Sequence, residues 1–312
     1  MNATGTTTLH LGTEPTAIDL TGDGRLVAVS LLSLDARSPT EVFDVTSGQS
    51  IRALGTGLVG RGVAFADEGR TLYHLFERDT QFVFARSELA GGRTEELASY
   101  APGQFCRELR RDSTGRLIAV CGDMVEVWDT ANGTRVFSAP PFRKGLPIQA
   151  AFDAAGTTLW LWGTVDGNAI IGLDATTWTE RVRIPAPAAA GTQLAISPSG
   201  ARLVAVATAT MGVFVYDTPR QARIVPDRYG DTTYSGRFAF SQDDNHLVNL
   251  IGGAVLIDRL EPRELLELHG LGDEAAALAV ADYRPVVAAS WKNGTIVSFE
   301  WNDEPPRAKA DR

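Results

Sequence analysis

The stretch Gly22-Asp23-Gly24-Arg25 is the first of seven related turns that recur along the chain. Five clear copies and two degraded ones are marked by Gly24, Gly69, Gly115, Gly156, Gly200, Asp244 and Arg284. Successive markers lie 45, 46, 41, 44, 44 and 40 residues apart. A period in the low forties, built from short apolar alternations, is typical of propeller blades. The spacing therefore predicts an all-β fold, a seven-bladed β-propeller with four antiparallel strands per blade.

Each repeat has the same order of short apolar segments. An alternating strand precedes the turn, as in residues 17–20, and a more continuous apolar run follows it, as in residues 26–29. A third strand ends in an apolar or aromatic residue followed by an acid, as in Trp128-Asp129, and a polar turn leads to a fourth. Period-two runs bounded by Gly, Asp and Pro clusters indicate strands. No segment keeps a helical period, so no long helix is predicted.

The two ends of the chain complement each other. The seventh repeat offers only three strands before residue 302, and an unassigned alternating segment, residues 6–11, precedes the first repeat. We expect this segment to supply the outer strand of the last blade and close the ring, which removes an unpaired edge. The alternative is a frayed N-terminal tail. Residues 1–302 are then one propeller domain, and the polar residues 303–312 form a disordered tail.

Several motifs resemble the WD40 repeat family. Val125-Glu126-Val127-Trp128-Asp129 and Ile196-Ser197-Pro198-Ser199-Gly200 resemble the third-strand ending and the first turn of a WD40 repeat. Residues 290–296 look like the hairpin between its second and third strands. The resemblance covers roughly residues 5–302. The Gly-His dipeptide that usually opens a WD40 repeat is absent from every blade, so the polar network that its histidine anchors is expected to be missing.

The resemblance also implies a partner surface. WD40 proteins commonly bind proteins at the rim formed by the connections between blades and the turns after the second strands. Aromatic residues and arginine dominate the binding energy of protein interfaces. On this rim the predicted partner-contacting residues are Tyr100, Phe142, Arg143, Tyr229, Tyr234 and Trp291. The connection 226–236 is the longest of its class, which favours a functional loop. The alternative is that these rings cover blade edges.

One row of the repeat is expected to line the central channel. Five places before each marker stand Asp19, Ala64, Arg110, Ala151, Ala195, Ala239 and Ala279. The alanines indicate a crowded position on the innermost strand, and Asp19 and Arg110 are charges in that row. A buried charge is costly unless it is paired. The favoured interpretation is an irregular third blade whose arginines reach solvent. The other is a polar lining that holds a small anion.

Charge and composition narrow the function classes. The net charge of −9, from 38 acids and 29 bases, opposes a nucleic-acid partner. No apolar run has the length of a membrane span, and the N-terminus lacks the features of a signal peptide, so a cytoplasmic protein is expected. On its own the chain is expected to be a monomer. The two cysteines, Cys106 and Cys121, are expected to be buried thiols, although facing strands would bring them within disulfide range.

The sequence shows no catalytic motif. A Gly-x-Ser-x-Gly elbow, a phosphate-binding loop, a Cys-x-x-Cys pair and histidines at metal-ligand spacing are all absent. The prediction is a non-catalytic protein–protein interaction scaffold with no cofactor and no metal. One alternative is a propeller hydrolase or lyase whose site at the channel mouth uses Asp166, Asn168, Asp273 and Glu274. Another is a sensor or targeting module for a separately encoded catalytic subunit.

Overall fold

The all-β prediction is confirmed by the computed structural model. It describes residues 2–302, except for residues 33–38, 56–58, 102–105, 112–113, 122–123, 140–146, 154, 164–168, 187–190, 198, 208–211, 220–221, 224–236, 242, 252–253, 260–263, 269–273 and 282–283. Within that part of the chain, the single helical element is a 3-10 turn, Asp67–Gly69. The predicted disordered tail, residues 303–312, lies outside the described residues.

The strands follow the predicted repeat. Before and within the first two repeats they are β1 (Asn2–His10), β2 (Glu14–Leu20), β3 (Leu26–Leu32), β4 (Thr40–Asp44), β5 (Ser50–Leu54), β6 (Val59–Ala66), β7 (Thr71–Arg78), β8 (Gln81–Glu88) and β9 (Thr94–Tyr100). The next two repeats contain β10 (Cys106–Arg111), β11 (Arg116–Cys121), β12 (Met124–Asp129), β13 (Thr134–Ala139), β14 (Pro147–Phe152), β15 (Thr158–Gly163), β16 (Ala169–Asp174) and β17 (Glu180–Pro185). The last three contain β18 (Gly191–Ile196), β19 (Arg202–Ala207), β20 (Gly212–Asp217), β21 (Ala222–Arg223), β22 (Arg237–Phe240), β23 (His246–Ile251), β24 (Ala254–Arg259), β25 (Glu264–Leu268), β26 (Ala275–Val280), β27 (Val286–Trp291) and β28 (Thr295–Asn302).

These strands pair antiparallel in chain order. Repeats three to six each form a separate four-stranded sheet, β10–β13, β14–β17, β18–β21 and β22–β25. The first two repeats, β2–β5 and β6–β9, are joined into one larger sheet by a single residue pair, Leu32 opposite Val59. The seventh repeat has only β26, β27 and β28 of its own, and β1 is its fourth strand.

The two ends of the chain meet in this last sheet. The segment predicted as its outer strand does pair there, and β1 runs antiparallel to β28 with Leu9 opposite Ile296. Both side chains belong to a buried cluster that includes Val27 of the first repeat. The turn glycine Gly24 packs against Val286. A Cβ added at Gly24 would lie only 3.0 Å from the Val286 Cβ. The first and last repeats are therefore packed together.

The core lies between successive sheets. One buried cluster combines Tyr73 and Phe84 of the second repeat with Leu117 and Trp128 of the third. Similar clusters join the third repeat to the fourth, the fourth to the fifth and the sixth to the seventh. The first strands also pack side by side, since β2 contacts both β6 and β26, β6 contacts β10, and β14, β18, β22 and β26 contact one another in that order. Burial of apolar side chains thus holds each sheet against its neighbours.

The recurring turn has a local cause. In the first repeat the Thr21 hydroxyl accepts a hydrogen bond from the Leu26 amide at 3.0 Å. In the fifth repeat the Ser197 hydroxyl accepts one from the Arg202 amide at the same distance. Gly24 has a φ of 70°, in the left-handed region that favours glycine. A short polar residue before the turn and a glycine within it therefore recur because they close the hairpin.

In the first and fourth repeats the acid at the end of the third strand also forms a turn. The Oδ1 atom of Asp44 accepts hydrogen bonds from the amides of Thr46 at 3.0 Å and Ser47 at 2.8 Å. Asp174 accepts equivalent bonds at 2.7 and 2.8 Å. These backbone donors lower the pKa of both carboxyls below the ordinary value. In these two repeats the acid is thus a structural residue that organises the turn into the fourth strand.

The expectation of free thiols is wrong. Cys106 and Cys121 form a disulfide, and both residues are only 1% exposed. They stand directly opposite each other at the beginning of β10 and the end of β11, with Cα atoms 4.0 Å apart. A register irregularity in β10, between Cys106 and Glu108, brings the two cysteines opposite each other.

Candidate functional site

A cavity of about 330 Å³ lies where the first strands of all seven repeats come together. Its wall takes residues from β2, β6, β10, β14, β18, β22 and β26, and most of them are alanine or larger apolar residues. The polar side chains of this wall belong to Thr16, Asp19, Arg61, Arg111 and Gln193. A concave site with apolar walls and a few convergent polar groups is the usual form of a ligand pocket.

The row predicted to face a channel is found in this wall. Asp19, Ala64, Ala151, Ala195, Ala239 and Ala279 all line the cavity. Ala64 is 1% exposed and Ala279 is 7% exposed, so the space around these positions is narrow.

Of the two charged residues in that row, Asp19 lies in the cavity wall, whereas only the backbone of Arg110 is described. The Asp19 carboxylate lies in the wall, and its Oδ2 accepts a hydrogen bond from the Phe65 amide at 2.8 Å. This bond joins β2 to β6, the first strand of the next repeat. The backbone of Arg110 lies in β10 opposite Ile118, and its side chain lies outside the described part of the structure.

Two other arginines enter the wall, and both are half-buried. Arg111 follows Arg110 in β10, and Arg61 lies in β6. Arg111 is visible in the sequence as the one charge in a row of large apolar residues that begins with Leu20 and Phe65. Arg61 gives no such signal, because the register of β6 shifts between Gly60 and Gly62 and takes Arg61 out of the alternation.

The uncharged polar residues of the wall join neighbouring first strands. The Thr16 hydroxyl donates to the Gly60 carbonyl at 2.6 Å, from β2 to β6. The side-chain amide of Gln193 both donates to the Phe238 carbonyl and accepts from the Phe238 amide, each at 2.6 Å. This bond pair joins β18 to β22. Together with Asp19, these residues tie adjacent repeats together at the cavity wall.

The predicted rim residues do not form a described surface. Trp291 is 0% exposed and belongs to the core cluster with Phe299 and Trp301, and Tyr100 is 8% exposed. An aromatic ring that contacts a partner needs exposed area, so we do not include Trp291 and Tyr100 in the proposed partner surface. Phe142, Arg143, Tyr229 and Tyr234 lie outside the described residues.

Tyr100 instead takes part in a buried polar cluster. Its hydroxyl donates to Oε2 of Glu126 at 2.5 Å, and Glu126 is only 4% exposed. The same carboxylate accepts from Arg135 at 2.6 Å and from the Trp128 indole at 3.3 Å. Burial, and then the Glu126 carboxylate, raises the pKa of Tyr100 above its ordinary value. Three donors around one buried carboxylate make this a structural network.

A buried histidine–serine pair lies in the second repeat, on β7 and β8. Nε2 of His74 is 3.0 Å from the Ser87 hydroxyl, which is 2.7 Å from the Thr94 hydroxyl. His74 and Ser87 are both 0% exposed, so no substrate reaches them. The His74 Nδ1 has no hydrogen-bond partner. Burial lowers the pKa of His74 to about 4, and the ring is neutral at physiological pH.

The residues of the enzyme alternative are not brought together in the described structure. Glu274 is exposed and forms an ion pair with Lys292. Asp166, Asn168 and Asp273 lie outside the described residues. Within the described ranges, no three His, Cys, Asp or Glu side chains lie close enough to hold a metal ion.

The comparisons with known proteins do not assign the chain to a family. No protein-family model matches the chain, and no curated protein matches it. The described part of the chain contains no helix with the length and apolar character needed to cross a membrane.

Proposed function

We propose that the chain is a closed seven-bladed propeller of the WD40-like type and acts as a non-catalytic protein–protein interaction scaffold. Three observations support the closed ring. The first strands of all seven repeats line one cavity, β26 packs against β2, and β1 completes the sheet of the last repeat. Seven such sheets around one axis form a closed ring without an exposed sheet face at either end.

The observation that carries the scaffold proposal is the set of side-chain bonds between neighbouring repeats. Thr16 and Asp19 bond to β6, and Gln193 bonds to β22 through both of its amide atoms. Farther out, the Tyr73 hydroxyl donates to the Thr130 carbonyl at 2.7 Å, from the second repeat to the third. Bonds that fix one sheet to the next make a rigid frame, and a rigid frame is the support that binding loops require.

We place the partner surface on the connections between repeats. The sequence puts Tyr229 and Tyr234 in one connection and Phe142 and Arg143 in another. These residue types give interfaces most of their energy. We further propose that the protein is a monomer in the absence of its partner and does not bind nucleic acid, in keeping with its net charge of −9.

The test is a quantitative affinity purification of the tagged full chain from its native cell. The double variants Tyr229→Ala/Tyr234→Ala and Phe142→Ala/Arg143→Ala are compared with Val136→Ala, which removes an apolar side chain that is 46% exposed on β13. We expect a specific protein to be lost from at least one double variant at an unchanged melting temperature, and to be retained by Val136→Ala. Retention of every specific protein by both double variants would overturn the proposed surface.

The disulfide bears on the expected location. Disulfides form and persist in oxidising compartments and are rare in the reducing cytosol. The Cys106–Cys121 bond therefore favours an oxidising compartment over the cytoplasmic location that the sequence suggests. Alkylation of the native cells before lysis, followed by mass spectrometry, decides the question. Two blocked thiols would restore the cytoplasmic proposal, and an intact disulfide would exclude it.

A further inference from the structure

We propose that Asn132 is a site of spontaneous deamidation, where the side-chain amide is converted to a carboxylate through a succinimide formed with Gly133. The chain contains the tripeptide Asn-Gly-Thr twice, at residues 132–134 (the first copy) and 293–295 (the second copy). A glycine after asparagine leaves the attacking backbone nitrogen unhindered, because glycine has no Cβ. The two copies share one sequence, so the fold decides which of them reacts. The proposal goes beyond the scaffold function, because it concerns a covalent change of the chain itself.

The reaction needs only water as a co-reactant. The backbone nitrogen of Gly133 attacks Cγ of Asn132, and the side-chain nitrogen leaves as ammonia together with the proton of that backbone amide. Water then opens the succinimide ring at one of its two carbonyls. Opening at one carbonyl gives aspartate, and opening at the other gives isoaspartate, in which the main chain runs through the former side-chain carbonyl. The net change is the loss of ammonia and the gain of water, without an oxidant or a reductant.

The turn between β12 and β13 presents the Asn132 amide for this attack. Its Oδ1 accepts hydrogen bonds from the Thr134 amide at 2.9 Å and from the Thr134 hydroxyl at 2.5 Å, and its Nδ2 donates to Oδ2 of Asp129 at 3.1 Å. Donors held at a carbonyl oxygen stabilise the negative charge that this oxygen gains when its carbon is attacked. Asn132 is exposed, so water reaches the succinimide.

The second copy, between β27 and β28, has different contacts. Oδ1 of Asn293 accepts from the Thr295 amide at 3.0 Å, but the Thr295 hydroxyl lies 3.4 Å from Nδ1 of His10. Gly294 is buried, and its carbonyl accepts a hydrogen bond from the Leu11 amide at 2.9 Å. Ring closure has to rotate the peptide between asparagine and glycine, and these bonds to the N-terminal segment oppose that rotation.

The first copy is restrained less from outside its own hairpin. The Gly133 amide donates to the Asp129 carbonyl at 2.9 Å, and this bond has to open before the nitrogen attacks. The equivalent bond of the second copy is 3.0 Å long, so it does not distinguish the two sites. A Cβ added at Gly133 would meet only the ends of the Leu97 and Arg86 side chains, at 3.3 and 3.4 Å. Long side chains yield to a change in the turn, so the first copy opens at a lower free-energy cost than the second.

Conversion of Asn132 should weaken the attachment of β13. The Nδ2 donor is replaced by a carboxylate oxygen that faces the Asp129 carboxylate, and like charges at this separation repel each other. Isoaspartate also lengthens the main chain of the turn by one methylene group. Asp129 pairs with Thr134 at the beginning of β13, so this end of the outer strand loses its fixed position. The deamidated chain therefore differs from the new one in its third repeat.

The proposal is tested by incubating the purified full chain at pH 8 and following both copies by peptide mass spectrometry. We expect Asn132 to be converted at least fivefold faster than Asn293 in the folded chain, with isoaspartate among the products. In guanidinium chloride the two copies should react at similar rates, because their tripeptides are identical. The rate at Asn132 should fall several-fold at pH 6, because the attacking nitrogen has to lose its proton.

Two variants test the role of the hydroxyl donor. Thr134→Val removes it and should slow the conversion of Asn132 at least threefold, whereas Thr134→Ser keeps it and should react like the wild type. A variant that loosened the whole fold would also react faster at Asn293, so this second site reports on folding in every sample. The proposal is overturned if Asn132 is not converted, if Asn293 reacts as fast in the folded chain, or if the same difference persists in guanidinium chloride. Equal rates in Thr134→Val and the wild type would overturn the role of the hydroxyl.

Discussion

His74 should make a large contribution to the pH dependence of stability between pH 7 and pH 5. Its ring is 0% exposed, one nitrogen faces only the Ser87 hydroxyl, and the other has no hydrogen-bond partner. A proton added in the folded state would put a charge in the core with no counter-ion beside it among the described residues. The folded pKa is about 4, against the ordinary 6.5 of an unfolded chain. Protonation of the unfolded chain therefore favours unfolding as the pH falls.

The sign and size follow from proton linkage. The folded pKa lies below the unfolded one, so the full stability is present above pH 6.5 and is lost as the pH falls toward 4. At 1.36 kcal/mol per pKa unit, the whole window is worth about 3 kcal/mol, of which about 2 kcal/mol is lost between pH 7 and pH 5. This fall is added to the contributions of other groups, so it has to be measured as a difference between variants.

The assay is urea denaturation at pH 7, 6 and 5 with wild type, His74→Gln and His74→Leu. Leucine is the residue at the equivalent position of the fourth repeat, Leu161, as the pairing of the second strands shows. We expect either variant to lose about 2 kcal/mol less than the wild type between pH 7 and pH 5. The control His10→Gln removes an exposed histidine and should behave like the wild type. Equal pH dependence in wild type and both His74 variants would refute the reasoning.

Three further predictions concern stability. Deletion of residues 1–12 should lower the melting temperature and cause aggregation seen by light scattering, because β28 loses its edge partner; an unchanged melting curve would show that the last sheet is completed in another way. The double variant Cys106→Ser/Cys121→Ser should lose about 3 kcal/mol in non-reducing urea denaturation, since the bond closes a 15-residue loop, and equal stability would mean that the bond contributes nothing. Tyr100→Phe should cost about 2 kcal/mol by removing one donor to the buried Glu126 carboxylate, with partner capture unchanged; lost capture at unchanged stability would contradict the structural role.

The fold was predictable from the sequence because its signals are local. A hydroxyl residue, a turn glycine and a terminal acid recur at one period, and each closes a hairpin through bonds within a few residues, as Thr21 and Asp44 do. Strand number and order follow from that period. The joining of the first two repeats by Leu32 and Val59 was not predictable, since one residue pair leaves no periodic trace.

The site was only partly predictable because it depends on register. Asp19 stands out as a charge in a row of alanines, and the structure places it in the cavity wall. Arg61 was not predicted because a register shift in β6 takes it out of the strand's alternation. A similar shift beside Cys106 places the two cysteines opposite each other. Tyr100 and Trp291 stand at strand ends, where an aromatic ring that covers a neighbouring strand has the same sequence signature as one that faces solvent.

The central claim is that the first and seventh repeats are neighbours in a closed ring, and a distance between them tests it most directly. Arg25 and Arg284 are exposed residues beside Gly24 and Val286, which are in contact. The distance between spin labels attached at Arg25→Cys and Arg284→Cys should be the short one expected for adjacent sheets, which pack about 10 Å apart. In an open row of seven sheets the same labels would be separated by six such spacings, about 60 Å. A short distance in solution is the result that the closed ring predicts, and a distribution near the long distance would contradict it.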